Sequence, residues 1–485
     1  MTVFQGIVTA VDGQGHPSVQ IAPQVATPAV SGSSPATGDV VWLLVDGTSM
    51  TWLPAPQPAS STPPPPPPPP PPPTDGVYWG GTADLTDTSA WPDRVLMPAP
   101  LGLPSNAVQI PAGANIQSYV TSHPAGTSFI LAAGTYDGGT SGYQVFPTQG
   151  QWFYGQGAGK TICNNVWFHR QDSSRSNVVI ANMTIKGCVS QSGPFGAHLA
   201  AIDSNFHESN AAGGWAVYNC EITGNYMGIS AGPGSRISNN TIHHNPGKGM
   251  AGGMSGTIVS NNQFYANMMP GSPGWYDTGG DDSGVKFTVM TGATFTGNLF
   301  HKANPNGVQY GGIGGCGVWM DVACGLGGDR VSASPSTGNT FSGNLIYSNY
   351  GSGVCDETGG NNTWTGNLIA GNGRGAKLDP WRAAGLVVQS SNHDAATGNY
   401  VWGNGPASAP ASITVYMDQS GNDRSDARRS QNNTVTGNFC DVAPGQLTGT
   451  WSGGAGGNTI ANNTVVGGLA GVTIPRVKAG PQALA

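Results

Sequence analysis

Charge is what this chain has least of: Asp, Glu, Lys and Arg make up 9% of its 485 residues, where soluble domains carry about 25%. The 18 basic and 25 acidic side chains leave a net charge of −7, which argues against the broad basic footprint of a general nucleic-acid binder. The seven cysteines include no CxxC pair, so neither a disulfide framework nor a zinc spacing is indicated, and buried thiols are expected. Long apolar runs are missing too. They reach four to six residues, as in Val40 to Val45, against the roughly 18 that span a bilayer. No basic stretch precedes an apolar one at the start, so neither a membrane span nor an export signal is expected. Glycine, in contrast, is abundant: 76 glycines and 38 prolines exclude long helices and coiled coils. Disorder is excluded by the 38% of hydrophobic residues, which fall in short alternating runs along the whole chain.

Pro63 to Pro73 are eleven consecutive prolines. Such a run forms a polyproline II rod rising about 3.1 Å per residue, roughly 34 Å in all, and acts as a spacer. Ahead of it, FQGIVTAVD, PSVQIAPQV and GDVVWLLVDGTSMTWL alternate apolar and polar positions between turn residues, which predicts a small β-barrel or sandwich over residues 1–56. The linker covers 57–75, and 76–104 is a connecting segment that leads into a repetitive region.

Beyond the linker one phrase recurs: NMTIKGC, NCEITGN, NNTIHHN, NNQFYAN, GNLFHKAN, GNLIYSN, GNLIAGN, GNYVWGN, GNFCDV and NNTVVGG. Its apolar landmark stands at Ile185, Ile222, Ile242, Phe264, Phe300, Ile346, Ile369, Val401, Cys440 and Val465, and the shortest intervals are 20–25 residues. A period of that length is one coil of short strands, with longer intervals holding inserted loops. The Asn that opens each phrase suits a left-handed corner and a ladder of stacked amides. Gly159, Lys160 and Thr161 end like a phosphate loop, but Tyr154 stands where that loop requires glycine.

These phrases resemble the right-handed parallel β-helix repeat of the pectin-lyase-like superfamily over residues 105–470, with 471–485 as a C-terminal tail. VQIPAGANIQSYVTSHPAGTSFILAAGTYD is similar to the capping helix, strand and turn that open many such solenoids, and WFYGQGAGKTI to their second rung. The resemblance implies an all-β right-handed parallel β-helix solenoid. A helix near Asn115 to Ser122 would cover the open edge of the first coil.

A second phrase sits in four successive coils: GVKFT, GVWMD, GVCDE and GLVVQ. Strand alternation turns Val285, Val318, Val354 and Leu386 inward. The outward columns are then Lys286, Trp319, Cys355 and Val387, and Thr288, Asp321, Glu357 and Gln389. Adjacent strands lie about 4.8 Å apart, so Asp321 and Glu357 are expected to stack and to divide into one protonated and one ionised carboxyl. That division is what a retaining glycoside hydrolase requires, with one residue as nucleophile and the other as acid. The alternative is that the carboxylates hold a cation or donors that brace the rung. GVWMD and GVCDE resemble a carbohydrate-active branch of β-helix proteins, from which Asp356, at an inward place, departs. A further outward column, His243, Tyr265, His301, Tyr347, Ala370 and Trp402, offers rings that either stack on sugars, together with Trp275 and Gln389, or stiffen the sheet. No cofactor is expected. Asp277, Asp281 and Asp282 form a weak calcium candidate in a glycine-rich loop. The charges from Asp418 to Arg429 mark either a solvated loop or a contact.

A small β-domain, a proline rod and a β-helix resemble a phage tail spike, fibre or minor tail protein. The resemblance implies a homotrimer located in the virion, assembled in the host cytoplasm. Residues 1–56 would dock on other tail proteins, and the solenoid would bind and degrade host cell-surface polysaccharide. The alternatives are a polysaccharide-degrading enzyme, hydrolase or lyase, not tied to a virion, and a structural tail-tip component.

Overall fold

The computed structural model describes residues 101–466 except 172, 190–199, 205–212, 253–254, 273–282, 289, 308–314, 322–335, 358, 374–382, 390, 407, 417–429 and 448–456. Outside that range it describes the strands of the first unit and the strands Val77–Trp79 and Val477–Ala479. The chain divides into two units, Met1–Pro71 and Pro72–Ala485, and the proline run lies outside the described residues. In the first unit Thr2–Val11, Pro17–Ile21, Gln24–Ala26, Val40–Asp46 and Ser49–Pro54 form one antiparallel five-stranded sheet, with Thr2–Val11 at its centre.

In the second unit three parallel sheets of 11, 13 and 12 strands run the length of the described coils. Each coil gives one strand to each sheet in turn, which is the right-handed parallel β-helix expected from the repeat. Strands are two to four residues long, and the second residue of the Asn-phrase strands points into one continuous core, Ile222, Ile242, Phe264, Phe300, Ile346 and Ile369 among them. Rings stack from rung to rung inside it, as in Phe295 on Phe341 and Phe341 on Trp364, with centroids 4.4 and 3.9 Å apart. The helix Ile116–Ser122, capped by Asn115, lays Ile116 and Val120 against this core. Thr161 begins a strand, Thr161–Asn164, where a phosphate loop needs a helix. The strands Val77–Trp79 and Val477–Ala479 pair antiparallel, so parts of the expected connecting segment and tail belong to one ribbon.

The corners explain the Asn phrase more sharply than the sequence did. The left-handed residue and the ladder residue are two different positions: Asn239, Asn261, Gly297, Gly343, Gly366 and Gly398 have φ of 58°, 55°, 63°, 59°, 61° and 63°, and the Asn after each turns inward. Asn240, Asn262, Asn298, Asn344, Asn367, Asn399, Asn438 and Asn463 form one ladder in which each Nδ2 donates to the next Oδ1 at 2.9–3.0 Å. NN and GN are therefore one signal, since either Asn or Gly fills a left-handed place and only an amide continues the ladder.

Candidate functional site

From Thr296 onward, two residues suffice to turn from each described strand of the 13-stranded sheet into the 12-stranded one, as between Thr365 and Leu368. The insertions fall at the borders of the 11-stranded sheet. They run from His301 to Val318, Asp321 to Thr340, Ala370 to Leu386 and Tyr416 to Thr434. Loops on a rigid scaffold are where binding surfaces are built, and four strands between these borders carry the GV-type phrases: Val285–Thr288, Val318–Asp321, Val354–Glu357 and Leu386–Gln389.

Their register is the expected one. Val285, Val318, Val354 and Leu386 enter the core, while Lys286 pairs with Trp319, Trp319 with Cys355, Thr288 with Asp321 and Glu357 with Gln389. Lys286 Nζ lies 2.7 Å from Asp321 Oδ2 and 3.8 Å from the centroid of the Trp319 ring. The ammonium thus has a carboxylate beside it and a π face beneath it. Trp319 Nε1 donates to Glu357 Oε2 at 2.9 Å, and Gln389 Nε2 donates to Glu357 Oε1 at 3.0 Å. The sequence expected two stacked carboxylates dividing a proton, with Lys286 and Trp319 beside them. In the structure each has donors of its own, an ammonium for Asp321 and two N–H groups for Glu357.

The cluster faces away from the core, and Trp319 with Cys316 and Cys355 makes a small apolar cluster of its own. It is nonetheless nearly covered: Lys286, Trp319 and Glu357 are 7%, 3% and 7% exposed, Gln389 is buried, and Asp321 is the most open of the five. Asp321 is thus its open edge.

The paired acids that sequence reasoning missed lie one residue inward. Asp356 is fully buried inside the solenoid and accepts from Trp364 Nε1 at 3.0 Å and from Asn362 Nδ2 and Ser391 Oγ at 3.4 Å. Asp394 occupies a ladder place. Its Oδ1 accepts from the Asn362 backbone N–H at 2.7 Å and its own N–H donates to Asn433 Oδ1 at 2.8 Å. Its Oδ2 has no donor. Burial raises Asp356 to about 6, and burial together with the Asp356 charge raises Asp394 well above the usual carboxylate range. Each charge disfavours the other in this water-free place. The signal was present as HD at a corner where other coils read NN or GN.

The aromatic column is built as a stack. His243, Tyr265, His301 and Tyr347 follow one another at 4.7, 5.2 and 4.6 Å with rings 8–14° from parallel. All are buried, and Ala370 and Trp402 with them. The expected display of His301, Tyr347 and Trp402 to sugar rings is therefore corrected: 1%, 0% and 3% exposed, they present no open face, and rung-to-rung stacking is what they provide. Burial also holds His301 well below the usual imidazole range. Trp275, Asp277, Asp281 and Asp282 and the charges from Asp418 to Arg429 lie outside the described residues. Among the described residues no group of three or more His, Cys, Asp or Glu side chains is arranged to hold a metal ion, and no helix is long and apolar enough to cross a membrane.

No described protein family matches the sequence, and no curated protein matches it. Among solved structures, the chain is similar to the A-module of the mannuronan C-5 epimerase AlgE4 of Azotobacter vinelandii, at 16% identity and a TM-score of 0.49 over 77% of this chain and 96% of that one. It is similar to the PL6 family alginate lyase AlyGC at 14% identity and a TM-score of 0.48, over 74% of this chain and 47% of that one. A third likeness is to the periplasmic alginate epimerase AlgG, at 12% identity and a TM-score of 0.38, over 74% and 83% of the two chains.

Proposed function

We propose that the solenoid acts on a polysaccharide along the outward face of the 11-stranded sheet, with Asp321 and Glu357 as its acid–base groups. The observation that carries this is the continuous set of ammonium, indole, carboxylates and amide on four consecutive rungs, bordered by the chain's insertions. Carboxylates and an ammonium at the open edge suit the rim of hydroxyls that a sugar presents, while Trp319, buried and covered by Lys286, holds Glu357 from beneath. Asp321, the most open, is placed to meet the glycan. Glu357 is held in one rotamer by its two donors.

The test separates bracing from chemistry. Glu357→Gln puts an NH2 group against one of two N–H donors, so it is expected to lose stability as well as activity. Adding Gln389→Glu restores the donor–acceptor match, with the carboxylate moved one rung. Purified protein would be incubated with a panel of glycans, alginate and host envelope polysaccharide included, and reducing ends and unsaturated uronates measured. The double swap is expected to melt near the wild-type temperature yet release product about 10² times more slowly or worse, the usual cost of a lost acid–base group. Full activity in the double swap would make Glu357 a brace only. If no glycan is bound or cleaved by the wild type, the proposal fails.

The reading extends to location. A small β-unit, a run of eleven prolines and a solenoid suit a tail appendage whose first unit docks on other tail proteins, and we propose a homotrimer in the virion. Mass spectrometry of purified virions and sedimentation of the free chain test these points. A chain absent from virions leaves the glycan reading standing as that of a free enzyme.

A further inference from the structure

In the outward cluster of the 11-stranded sheet the acids outnumber the bases. The ammonium of the cluster, Lys286 Nζ, is already held by Asp321 at 2.7 Å, with the Trp319 ring beneath it. Glu357 adds a second carboxyl, bonded to Trp319 Nε1 and Gln389 Nε2. The neighbouring outward positions leave that count unchanged. Ser230, Ala251 and Cys355 continue the Lys286 column, Thr288 and Gln389 the Asp321 column, and none of the five is charged. The connections that border these strands add no excess. Between Tyr265 and Val285, His301 and Val318, Asp321 and Thr340, Ala370 and Leu386, and Tyr416 and Thr434 the sequence holds eight basic and eight acidic residues. The site with its connections is therefore formally negative, within a chain whose net charge is −7.

A polyuronate brings a carboxylate on every sugar. To bind here it must take Lys286 away from Asp321 or stand as a third carboxyl beside one ammonium. Like charges set against each other across an interface exclude a wrong partner, and the Lys286 and Asp321 side chains, 8% and 18% exposed, leave little water between them to screen the repulsion. An uncharged sugar meets no such barrier. A carboxylate has about four lone-pair sites, so sugar hydroxyls can donate to Asp321 while its ion pair with Lys286 stays whole. On the reading that this site takes a glycan, we infer that its substrate class is the uncharged polysaccharide. Asp321 sets that preference by occupying the ammonium that a uronate would need.

The experiment measures binding of the full-length chain by affinity electrophoresis and calorimetry. The probes are galactomannan, galactan, pullulan and curdlan as neutral polymers and alginate and polygalacturonate as polyuronates, each at low and at high salt. Every neutral polymer that binds is then oxidised at its primary hydroxyls to uronate and tested again, so that the backbone is the same and only the charge differs. Binding of a neutral polymer is expected to be insensitive to salt. Its oxidised form is expected to bind about tenfold more weakly or worse at low salt, with the gap narrowing as salt screens the repulsion. Asp321→Asn is nearly isosteric, releases Lys286 to the ligand and is expected to close most of that gap at low salt. The wild-type comparison of parent and oxidised polymer stands whether or not the variant folds. A wild type that binds alginate, polygalacturonate or an oxidised polymer more tightly than every neutral one overturns the inference and leaves the glycan site in place. Unchanged discrimination in Asp321→Asn, with the circular dichroism spectrum of the wild type, overturns the role of Asp321. Binding of no polymer at all overturns the glycan reading, and the inference with it.

Discussion

Replacing Asn344 with alanine is expected to destabilise the solenoid by on the order of 3–6 kcal/mol, because it strands several buried groups at once. The Asn344 side chain is fully buried and makes four hydrogen bonds. Its Oδ1 accepts from the backbone N–H and the Nδ2 of Asn298 at 2.9 and 3.0 Å, and its Nδ2 donates to the Phe295 carbonyl and to Asn367 Oδ1 at 3.0 Å each. Alanine removes all four and adds a cavity. Each buried polar group left without a partner costs roughly 1–3 kcal/mol, far above the worth of the bond when both partners are removed together. Coils contact only their neighbours, so the damage is expected to be local. Hydrogen exchange should show lost protection at the rungs around Asn298 and Asn367, with the rungs of Phe153 and Ile180 unchanged. Uniform protection in the variant would show that the ladder is ornament to a core that holds alone.

How much of this was legible depends on what kind of signal each feature leaves. A repeat of short strands imposes the same chemistry on every coil, so the phrase with its central Ile, Phe or Val gave both the solenoid and the inward column Val285, Val318, Val354 and Leu386. Register survived the long interval between Phe300 and Ile346 because Phe300 pairs with Ile346 across adjacent rungs whatever loop lies between them. A slip of one residue would have turned the whole inward set out of the core. Burial of the outward faces was not legible. Periodicity tells which way His301 or Trp402 points from the core and carries no information about what else covers that side. The partners of Asp321 and Glu357 were half legible: Lys286 and Trp319 were placed beside them, but a stacked pair of carboxylates was expected to settle its charge between its own members. Asp394 was missed because it fills a place that reads Asn in other coils, and Asp356 stood only as a departure from the resemblance, with nothing in the sequence to bring the two together.

Asp394→Asn is expected to stabilise the protein above neutral pH and to remove much of its alkaline loss of stability. The sign comes from the direction of the shifts. Asp356 and Asp394 both bind protons more tightly folded than unfolded, where a carboxyl titrates near 3.9. Their contribution is therefore fully present below about pH 4. It is lost as pH rises toward and beyond the folded value of about 6 for Asp356, with the more strongly raised Asp394 extending the loss upward. At high pH the folded chain either keeps a proton against the bulk or holds two buried charges side by side, and both cost stability. Asparagine keeps the Oδ1 that accepts from the Asn362 N–H and puts an NH2 where Oδ2 has no donor. That group can donate to Asp356, and to Asn433 Oδ1 in the manner of the other rungs. Thermal melts of wild type and variant from pH 4 to 9 are the measurement. The curves should lie close together at the acid end and separate by several degrees at the alkaline end, with the variant higher. A variant that melts lower throughout, or whose midpoint falls with pH as steeply as the wild type's, would mean that the two carboxyls do not share a proton in the folded chain.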